Sequence, residues 1–437
     1  METQEISRTN NVPPARPTSA IQDYSRPLAI VTTLFFMWGF LTCLNDILVP
    51  HLKSIFDLSY SRVMLVQFAF FSAYFLFSVP WSKIVNAIGY QRTMVAGLLT
   101  MALGAFLFIP AAAIASYPLF LTALMVLAAG ITGLQVAANP YVVVLGKPET
   151  APSRLDLTQA FNSLGTTVAP KLGGLLILSA APLGIERLRL LTPQALQAYR
   201  VQEASSVKMP YTVIGVALVL LAVLIGAFKL PKIETAAYRP GEKVRDSIWK
   251  HPNLLLGAIG IFTYVGAEVS IGSFLVNYFG LPNVAGLSAK AAAGYVSFYW
   301  GGAMAGRFLG APLLRRFKAG YLLALCAICA AALVTVSMIV GGHTAMWTIL
   351  AVGFFNSIMF PTIFSLGVAE LGPLTGNGSG LLNMAIVGGA ILPVIQGAIA
   401  DQLGLHHAFL LPVVCYLYIL YYALSGSKPN SARYANT

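Results

Sequence analysis

Apolar stretches of about 20 residues recur along the chain and are separated by short polar segments. A run of this length is enough to cross a ~30 Å hydrocarbon layer as an α-helix. Twelve such runs occur, at residues 28–52, 62–86, 93–115, 118–145, 155–179, 208–229, 254–279, 290–312, 320–341, 345–370, 376–401 and 407–425. The pattern predicts an all-α membrane protein with twelve transmembrane helices.

The composition agrees with a chain embedded in a membrane. Of 437 residues, 57% are hydrophobic and 10% are charged, and the mean hydropathy is +0.76. Soluble domains carry roughly 25% charged residues. The net charge of +12 could suggest a nucleic-acid partner, but the basic residues are scattered between the apolar runs and form no single basic face. We therefore expect this protein to contact the lipid bilayer and no nucleic acid.

The distribution of Lys and Arg predicts the orientation. With the N-terminus in the cytoplasm, the inside segments hold 19 of the 27 basic residues, the outside segments hold 7, and Lys171 lies within a helix. Because basic loops tend to stay in the cytoplasm, this bias predicts a multi-pass protein with both termini cytoplasmic. The predicted organisation is a disordered cytoplasmic tail (1–27), an N-terminal six-helix half (28–230), a cytoplasmic linker (231–253), a C-terminal six-helix half (254–425) and a cytoplasmic tail (426–437).

Short motifs repeat between the two halves. In the fourth and tenth runs, "NPYVVVLG" aligns with "FPTIFSLG" at an offset of 221 residues. In the fifth and eleventh runs, "GTTVAPKLGG" aligns with "GGAILPVIQG" at an offset of 223. Two six-helix pseudo-repeat halves are the architecture of the major facilitator fold, which places the substrate between the halves near the middle of the membrane.

Two acids lie inside apolar runs. Asp46 belongs to "FFMWGFLTCLNDILVPHLK" in the first run, and Glu268 belongs to "FTYVGAEVSIGSFLVNYFG" in the seventh. A charge in the middle of the bilayer costs about 2.5–3.5 kcal/mol, so each should face a cavity, a partner or a ligand. Their offset of 222 predicts equivalent positions in the two halves. An interfacial position for Asp46 and a neutral, hydrogen-bonded Glu268 are the alternatives, and Lys171 either extends outward or pairs with Asp46.

Amide and aromatic side chains within the runs could bind a hydroxylated ligand. Amides offer donors and acceptors to hydroxyl groups, and aromatic rings pack on the apolar face of a sugar. The alternative for any single amide is a hydrogen bond between helices. The candidates for substrate binding are Trp38, Gln135, Gln159, Asn162, Glu268, Asn356, Phe360 and Asn383.

Several phrases resemble one known family. "LNDILVPHL", "AANPYVVVLG", "FNSLG" and "FPTIFSLGVAELG" are similar to the fucose:proton symporter family of the major facilitator superfamily, and "YVGAEVSIGSFLVNY" resembles its glucose/galactose transporter branch. The resemblance implies a hexose symporter of the bacterial inner membrane that works by alternating access. It matches the family's coupling aspartate with Asp46, its cavity tryptophan with Trp38, and its polar fifth-helix residues with Gln159 and Asn162.

The chain departs from the fucose carriers at three positions. Gln135 stands where those carriers have an acid, and Glu268 stands where they have a neutral amide. Phe360 stands where they have a tyrosine, so one hydroxyl group is missing and a different sugar is expected. Since some relatives in the glucose/galactose branch are linked to sodium, both the proton and sodium stay open, with any sodium site expected near Asp46.

A loop motif of the superfamily is also present in altered form. "WSKIVNAIGYQR" has Asn86 in place of the usual aspartate, and its counterpart in the second half is "GRFLGAPLLRRF". We expect the basic residues of these segments, including Arg307, Arg315 and Arg316, to join helices on the cytoplasmic side without contacting substrate.

The sequence thus predicts a cation-coupled symporter for a neutral hexose such as glucose or galactose. Asp46, Glu268 and Asn45 are the expected ion-coupling residues, and no cofactor other than the coupling cation is expected. A sugar or drug efflux antiporter of the same fold is the alternative. A membrane enzyme is disfavoured because the chain has no metal-ligand cluster, nucleophile motif or phosphate loop. The expected partners are a monosaccharide and the lipid bilayer, and the protein is expected to be a monomer.

Overall fold

Long α-helices make up most of the described chain. The computed structural model describes residues 24–56, 60–177, 191–231 and 247–429, and within these ranges it contains no β-strand. The helices are α1 (Ser25–Phe56), α2 (Tyr60–Ile88), α3 (Tyr90–Ala113), α4 (Tyr117–Val144), α5 (Ala151–Ile177), α6 (Pro193–Ser205), α7 (Lys208–Ala227), α8 (Pro252–Phe279), α9 (Ala289–Arg316), α10 (Ala319–Ile339), α11 (Gly342–Asn356), α12 (Met359–Gly367), α13 (Thr375–Met384), α14 (Gly388–Leu403), α15 (Leu405–Ala408) and α16 (Leu410–Tyr421).

Each of the twelve predicted apolar runs coincides with helix. Ten stretches of the described residues are long and apolar enough to cross a membrane. The two runs outside this set are the fifth and eighth, α5 and α9, whose sequences include Arg154, Asp156 and Arg307. These two helices pack against each other, and within the bundle Arg154 and Asp156 are buried and Arg307 is half-buried.

Two features of the helices depart from the predicted pattern. The polar segment after the fifth run contains α6, which the search for apolar runs does not detect. The tenth run is divided into α11 and α12 close to Pro361. A proline cannot donate to the carbonyl four residues earlier, and its ring crowds that carbonyl. The Ser357 carbonyl is thereby released from the helix and accepts a hydrogen bond from Arg307 Nε at 3.2 Å.

Glycines bring equivalent helices together in the two halves. A methyl group on Gly165 of α5 would lie 2.3 Å from the carbonyl oxygen of Phe36 in α1. A methyl group on Gly388 of α14 would lie 2.1 Å from the carbonyl oxygen of Phe262 in α8. The fifth run therefore contacts the first as the eleventh contacts the seventh, in agreement with the repeat of "GTTVAPKLGG" and "GGAILPVIQG".

Polar contacts join the two halves on one side of the bundle, where α2 ends and α5 begins. Asn86 Nδ2 donates to Asn377 Oδ1, and Ser153 Oγ donates to the Ala311 carbonyl at 2.6 Å. Ser379 Oγ donates to the Val136 carbonyl at 3.0 Å. Val136 is four residues before Pro140, so its carbonyl is also released by a proline. We refer to the layer formed by Asn86, Ser153, Ala311, Asn377 and Ser379 as the seal.

The close contact at Gly165 can be tested by adding one methyl group. Gly165→Ala should lower the melting temperature by several degrees, because overpacking against a backbone costs about 1–3 kcal/mol. Gly301→Ala is the matched control. Apart from the nearby backbone of its own helix, a methyl group there would lie more than 4 Å from every described residue. Alanine favours helix by about 1 kcal/mol over glycine, so Gly301→Ala should melt at or above the wild-type temperature. Equal melting of the two variants in thermal unfolding would contradict the contact.

Candidate functional site

A cavity of about 150 Å³ lies between the two halves. A volume of this order suits a small solute better than a drug-sized ligand. The first half contributes residues from α1, α2, α4 and α5, and the second contributes residues from α8, α9, α12 and the turn after α13. The lining residues are Trp38, Thr42, Tyr74, Gln135, Gln159, Asn162, Thr166, Tyr264, Val265, Glu268, Arg307, Phe360 and Ile386.

The contact between α1 and α5 places an aromatic ring beside an amide. Gly39 has no side chain where Asn162 approaches, since a methyl group there would lie 2.3 Å from the Asn162 carbonyl oxygen. Asn162 Nδ2 donates to the Phe35 carbonyl at 3.0 Å, and the Phe35 ring lies 4.0 Å from the Trp38 ring, centre to centre. The rotamers of Trp38 and Asn162 are thus fixed by packing and by a backbone hydrogen bond before a ligand arrives.

A second amide is oriented by a tyrosine. Gln135 Nε2 of α4 donates to the Tyr74 hydroxyl oxygen of α2 at 2.9 Å, and both side chains are buried at the cavity wall. In this arrangement the tyrosine hydroxyl proton and Gln135 Oε1 can meet ligand hydroxyls. Gln159, also buried, adds a third amide to the wall. The cavity therefore presents several neutral donors and acceptors.

The seventh run places its acid at the cavity. Tyr264 and Glu268 are one turn apart in α8, and both line the cavity. The tyrosine hydroxyl interacts with the Glu268 carboxyl group, and Glu268 Oε1 is buried with no well-aligned hydrogen-bond partner among the described residues. An acid with an unsatisfied oxygen can bind a proton or a ligand hydroxyl.

The structure corrects the predicted pairing of Asp46 with Glu268. Phe36 and Phe262 make equivalent contacts, and Trp38 and Thr42 line the cavity as Tyr264 and Glu268 do. Each of these pairs is separated by 226 residues, one helical turn more than the predicted 222. Thr42 is therefore the counterpart of Glu268.

Three predicted residues lie outside the part of the structure that can be described. The backbone of α1 includes Asn45 and Asp46, and that of α5 includes Lys171, but their side chains are not among those described. The predicted roles of Asn45 and Asp46, and a pairing of Asp46 with Lys171, therefore stay predictions.

The structure places Arg307 at the cavity. The sequence had predicted instead that Arg307 joins helices on the cytoplasmic side. Its Nε donates to the Ser357 carbonyl that Pro361 releases, and its guanidinium also donates to Ser163 Oγ of α5, across the interface between the halves. Arg307 interacts electrostatically with Glu268. The signal that sequence reasoning missed is the position of Arg307, inside the apolar run of α9 and well before the basic pair at its end.

Two predicted substrate ligands are not brought to the cavity. Asn356 is fully buried: Tyr416 donates to its Oδ1 at 2.8 Å, and its Nδ2 donates to the Tyr299 hydroxyl at 2.8 Å. The Tyr299 hydroxyl in turn donates to the backbone carbonyl oxygen of Glu268 at 3.3 Å. Asn383 is also fully buried, and its Nδ2 donates to the Ser379 carbonyl at 2.8 Å. Asn356 thus belongs to a chain of hydrogen bonds that supports the backbone of α8 at Glu268.

Known proteins are similar to this chain in sequence and in fold. Residues 29–387 match the model of the Major Facilitator Superfamily. A Brucella abortus protein named glucose/galactose transporter is 53% identical over 420 residues, which cover 96% of this chain and 98% of that protein. The L-fucose-proton symporter of Escherichia coli is 35% identical over 419 residues, covering 93% of this chain and 94% of that protein. A crystal structure of the transporter FucP in the outward conformation matches with a TM-score of 0.83 and 35% identity, covering 92% of this chain and 98% of that one.

The chain belongs to the major facilitator superfamily. The resemblance to the fucose:proton symporters and to their glucose/galactose branch is confirmed. The predicted all-α fold of twelve transmembrane helices is confirmed, and so is the prediction of a membrane transporter rather than an enzyme.

The hydrogen-bond chain at Asn356 predicts a cost for its removal. Asn356→Leu would leave the buried hydroxyl of Tyr416 without its acceptor, at about 1–3 kcal/mol, and would remove the amide that donates to Tyr299. We expect a clear fall in melting temperature, measured by thermal unfolding of the purified protein in lipid nanodiscs. Asn277→Leu, at an exposed position of the same protein, is the control and should melt close to wild type. An Asn356→Leu variant as stable as that control would contradict the support role.

Proposed function

We propose that this member of the major facilitator superfamily carries a neutral hexose, glucose or galactose, into a bacterial cell together with a proton. The observation that carries the proposal is the cavity between the halves, where amides and aromatic rings surround one acid and one arginine. A protein named glucose/galactose transporter, 53% identical to this chain, supports the choice of sugar.

The lining of the cavity suits a neutral sugar. Gln135, Gln159 and Asn162 offer amide groups to sugar hydroxyls, and Trp38 and Phe360 offer ring faces to the C–H face of the sugar. Because Glu268 and Arg307 bring opposite charges, the wall carries no large excess charge that would favour an ionic substrate.

A proton fits Glu268 better than a sodium ion does. Arg307 lines the same cavity and interacts with Glu268, so a sodium ion bound at this acid would meet the field of a fixed guanidinium. A proton neutralises the acid and adds no second cation. Two relatives, 35% and 28% identical, are named L-fucose-proton symporter and support the same choice. Asp46, with Asn45 beside it, is the second proposed coupling position, on the strength of the sequence resemblance.

Alternating access would follow from movement of the two halves around the cavity. We assign residues 28–230 and 254–425 to the two moving bodies, residues 231–253 to the linker, and both termini to the cytoplasm. In that orientation the seal closes the cytoplasmic side. The similarity to a FucP structure in the outward conformation supports this assignment. Sugar and proton would each favour the occluded state, with a coupling free energy of about 1–3 kcal/mol.

The coupling role of Glu268 is tested by neutralising it. Glu268→Gln should reduce proton-driven glucose accumulation in proteoliposomes more than tenfold, because the binding site for the proton is lost. Exchange of glucose across the membrane in the absence of a gradient should persist, since it needs no net proton movement. Asp401→Asn, at an exposed acid, is the control and should accumulate glucose as wild type does.

Separately imposed gradients identify the ion. Glucose accumulation by the wild-type protein should increase when a proton gradient is imposed and should not respond to an imposed sodium gradient. Accumulation driven by sodium alone would overturn the proton assignment, and full accumulation by Glu268→Gln would overturn the role of the acid.

The sugar site is tested by removing an amide. Gln159→Ala should weaken glucose binding roughly 5- to 150-fold, the equivalent of about 1–3 kcal/mol for lost hydrogen bonds. Isothermal titration calorimetry with glucose and galactose measures the change. Gln402→Ala, at an exposed glutamine of α14, should bind as wild type does. If Gln159→Ala and Gln402→Ala bind glucose equally well, the sugar does not contact Gln159.

A further inference from the structure

A second buried acid lies at the seal, away from the cavity wall. Asp156 belongs to the first turns of α5 and is fully buried. In the part of the chain that the structure describes, neither of its carboxyl oxygens has a hydrogen-bond partner. A buried carboxylate in this state costs several kcal/mol unless it is paired and hydrogen-bonded, whereas the neutral acid avoids the cost of burying a charge.

The acid lies directly between the two halves. A methyl group on Gly310 of α9 would lie 2.8 Å from Asp156 Oδ2, so α9 has room for the carboxyl group only because residue 310 is glycine. The same methyl would lie 2.3 Å from Ile358, near the start of α12. Three residues before Asp156, Ser153 donates across the interface to Ala311. Separation of α5 from α9 would therefore expose Asp156 to water on the side of the seal.

Few titratable groups act on Asp156. Among the described residues, those that interact with it electrostatically are Arg307 of α9 and Cys326 of α10. Arg315, near the end of α9, donates to Ser153 at 3.2 Å. The sequence of α12, which also packs on α5, contains no titratable side chain. Within the described ranges, the environment of Asp156 in the closed seal thus offers one attractive charge, that of Arg307, and no direct ion pair.

Arg307 connects this acid to the cavity. It interacts with Glu268, which lines the cavity, and with Asp156, which does not. Its hydrogen bond to Ser163 spans the same interface between α9 and α5. One guanidinium therefore acts electrostatically on two acids, one that lines the cavity and one enclosed by the seal.

We propose that Asp156 is a proton-binding residue of the seal, protonated while the seal is closed and deprotonated when it opens. On opening, the O–H bond of the carboxyl group breaks, the proton passes to water on the seal side, and the carboxylate remains on the protein. This inference rests on the proposed function for its direction, since the seal is assigned to the cytoplasm there. Closing the seal then takes up one proton, and the ratio of closed to open molecules falls as the pH on that side rises.

Distance measurements by electron paramagnetic resonance test the linkage. Spin labels at Ala87→Cys and Lys318→Cys, exposed positions on the two halves at the seal side, report opening in a full-length protein whose native cysteines are replaced by serine. In nanodiscs without sugar, the ratio of closed to open molecules should change up to tenfold per pH unit, the limit for one proton. Asp156→Asn should stay closed and lose this dependence, because the amide has the shape of the neutral acid.

Matched variants distinguish proton binding at Asp156 from the proposed proton coupling at Glu268. Asp156→Glu, which keeps a titratable group, should keep a pH dependence with a shifted midpoint, and Asp401→Asn should titrate as wild type does. A wild-type ratio that does not change with pH, or equal profiles for wild type and Asp156→Asn, would overturn the proposal. Since the titration needs no sugar, it is independent of hexose transport, and failure of Glu268→Gln to lose coupling would leave the result at Asp156 unaffected.

Discussion

A backbone carbonyl inside a membrane helix needs a hydrogen-bond donor, and the centre of this protein is organised around carbonyls that prolines have released. Pro140 releases the carbonyl of Val136, and Pro361 releases that of Ser357. Ser379 of the opposite half donates to the first, and Arg307 donates to the second. The first bond joins the halves, and the second fixes a charged side chain at the cavity. The same two prolines are part of the sequence repeat. The repeat therefore marks positions where a backbone carbonyl depends on a side chain of another helix for its hydrogen bond.

Much of the cavity lining could be predicted from the sequence, because polar and aromatic residues are conspicuous within runs of aliphatic ones. Trp38, Gln135, Gln159, Asn162 and Phe360 line one cavity, together with Glu268. Each was noticeable as a polar or aromatic group within an apolar run, although an amide there could instead hydrogen-bond a neighbouring helix, and the family resemblance added specificity. The helices themselves were predictable for the same reason, since about 20 apolar residues have few stable structures other than a membrane helix.

The remaining parts depend on geometry that a single sequence does not contain. An offset between repeats is uncertain by a helical turn when glycines and prolines are the only markers, so the predicted counterpart of Glu268 was Asp46 and the observed one is Thr42. A buried amide can face a ligand or a neighbouring helix, and only packing distinguishes Gln159 from Asn356, which binds two tyrosines. Arg307 was assigned to the cytoplasmic side because it belongs to the loop-motif counterpart "GRFLGAPLLRRF", whereas its hydrogen bond to the released Ser357 carbonyl holds it at the cavity.

The proposed roles of Glu268 and Asp156 depend on a shared counter-charge. At an effective dielectric constant of 20, two opposite charges 4 Å apart attract by about 4 kcal/mol, and burying an unpaired carboxylate costs several kcal/mol. One guanidinium offsets such a cost for one acid, so the closed seal disfavours the state in which both acids are ionised. A proton bound at Asp156 leaves Arg307 to stabilise the carboxylate of Glu268, and release of that proton on opening adds a second carboxylate that competes for the same guanidinium. The protonation state of the cavity is thereby linked to the stability of the seal through one side chain, and no long relay of residues is needed to connect them.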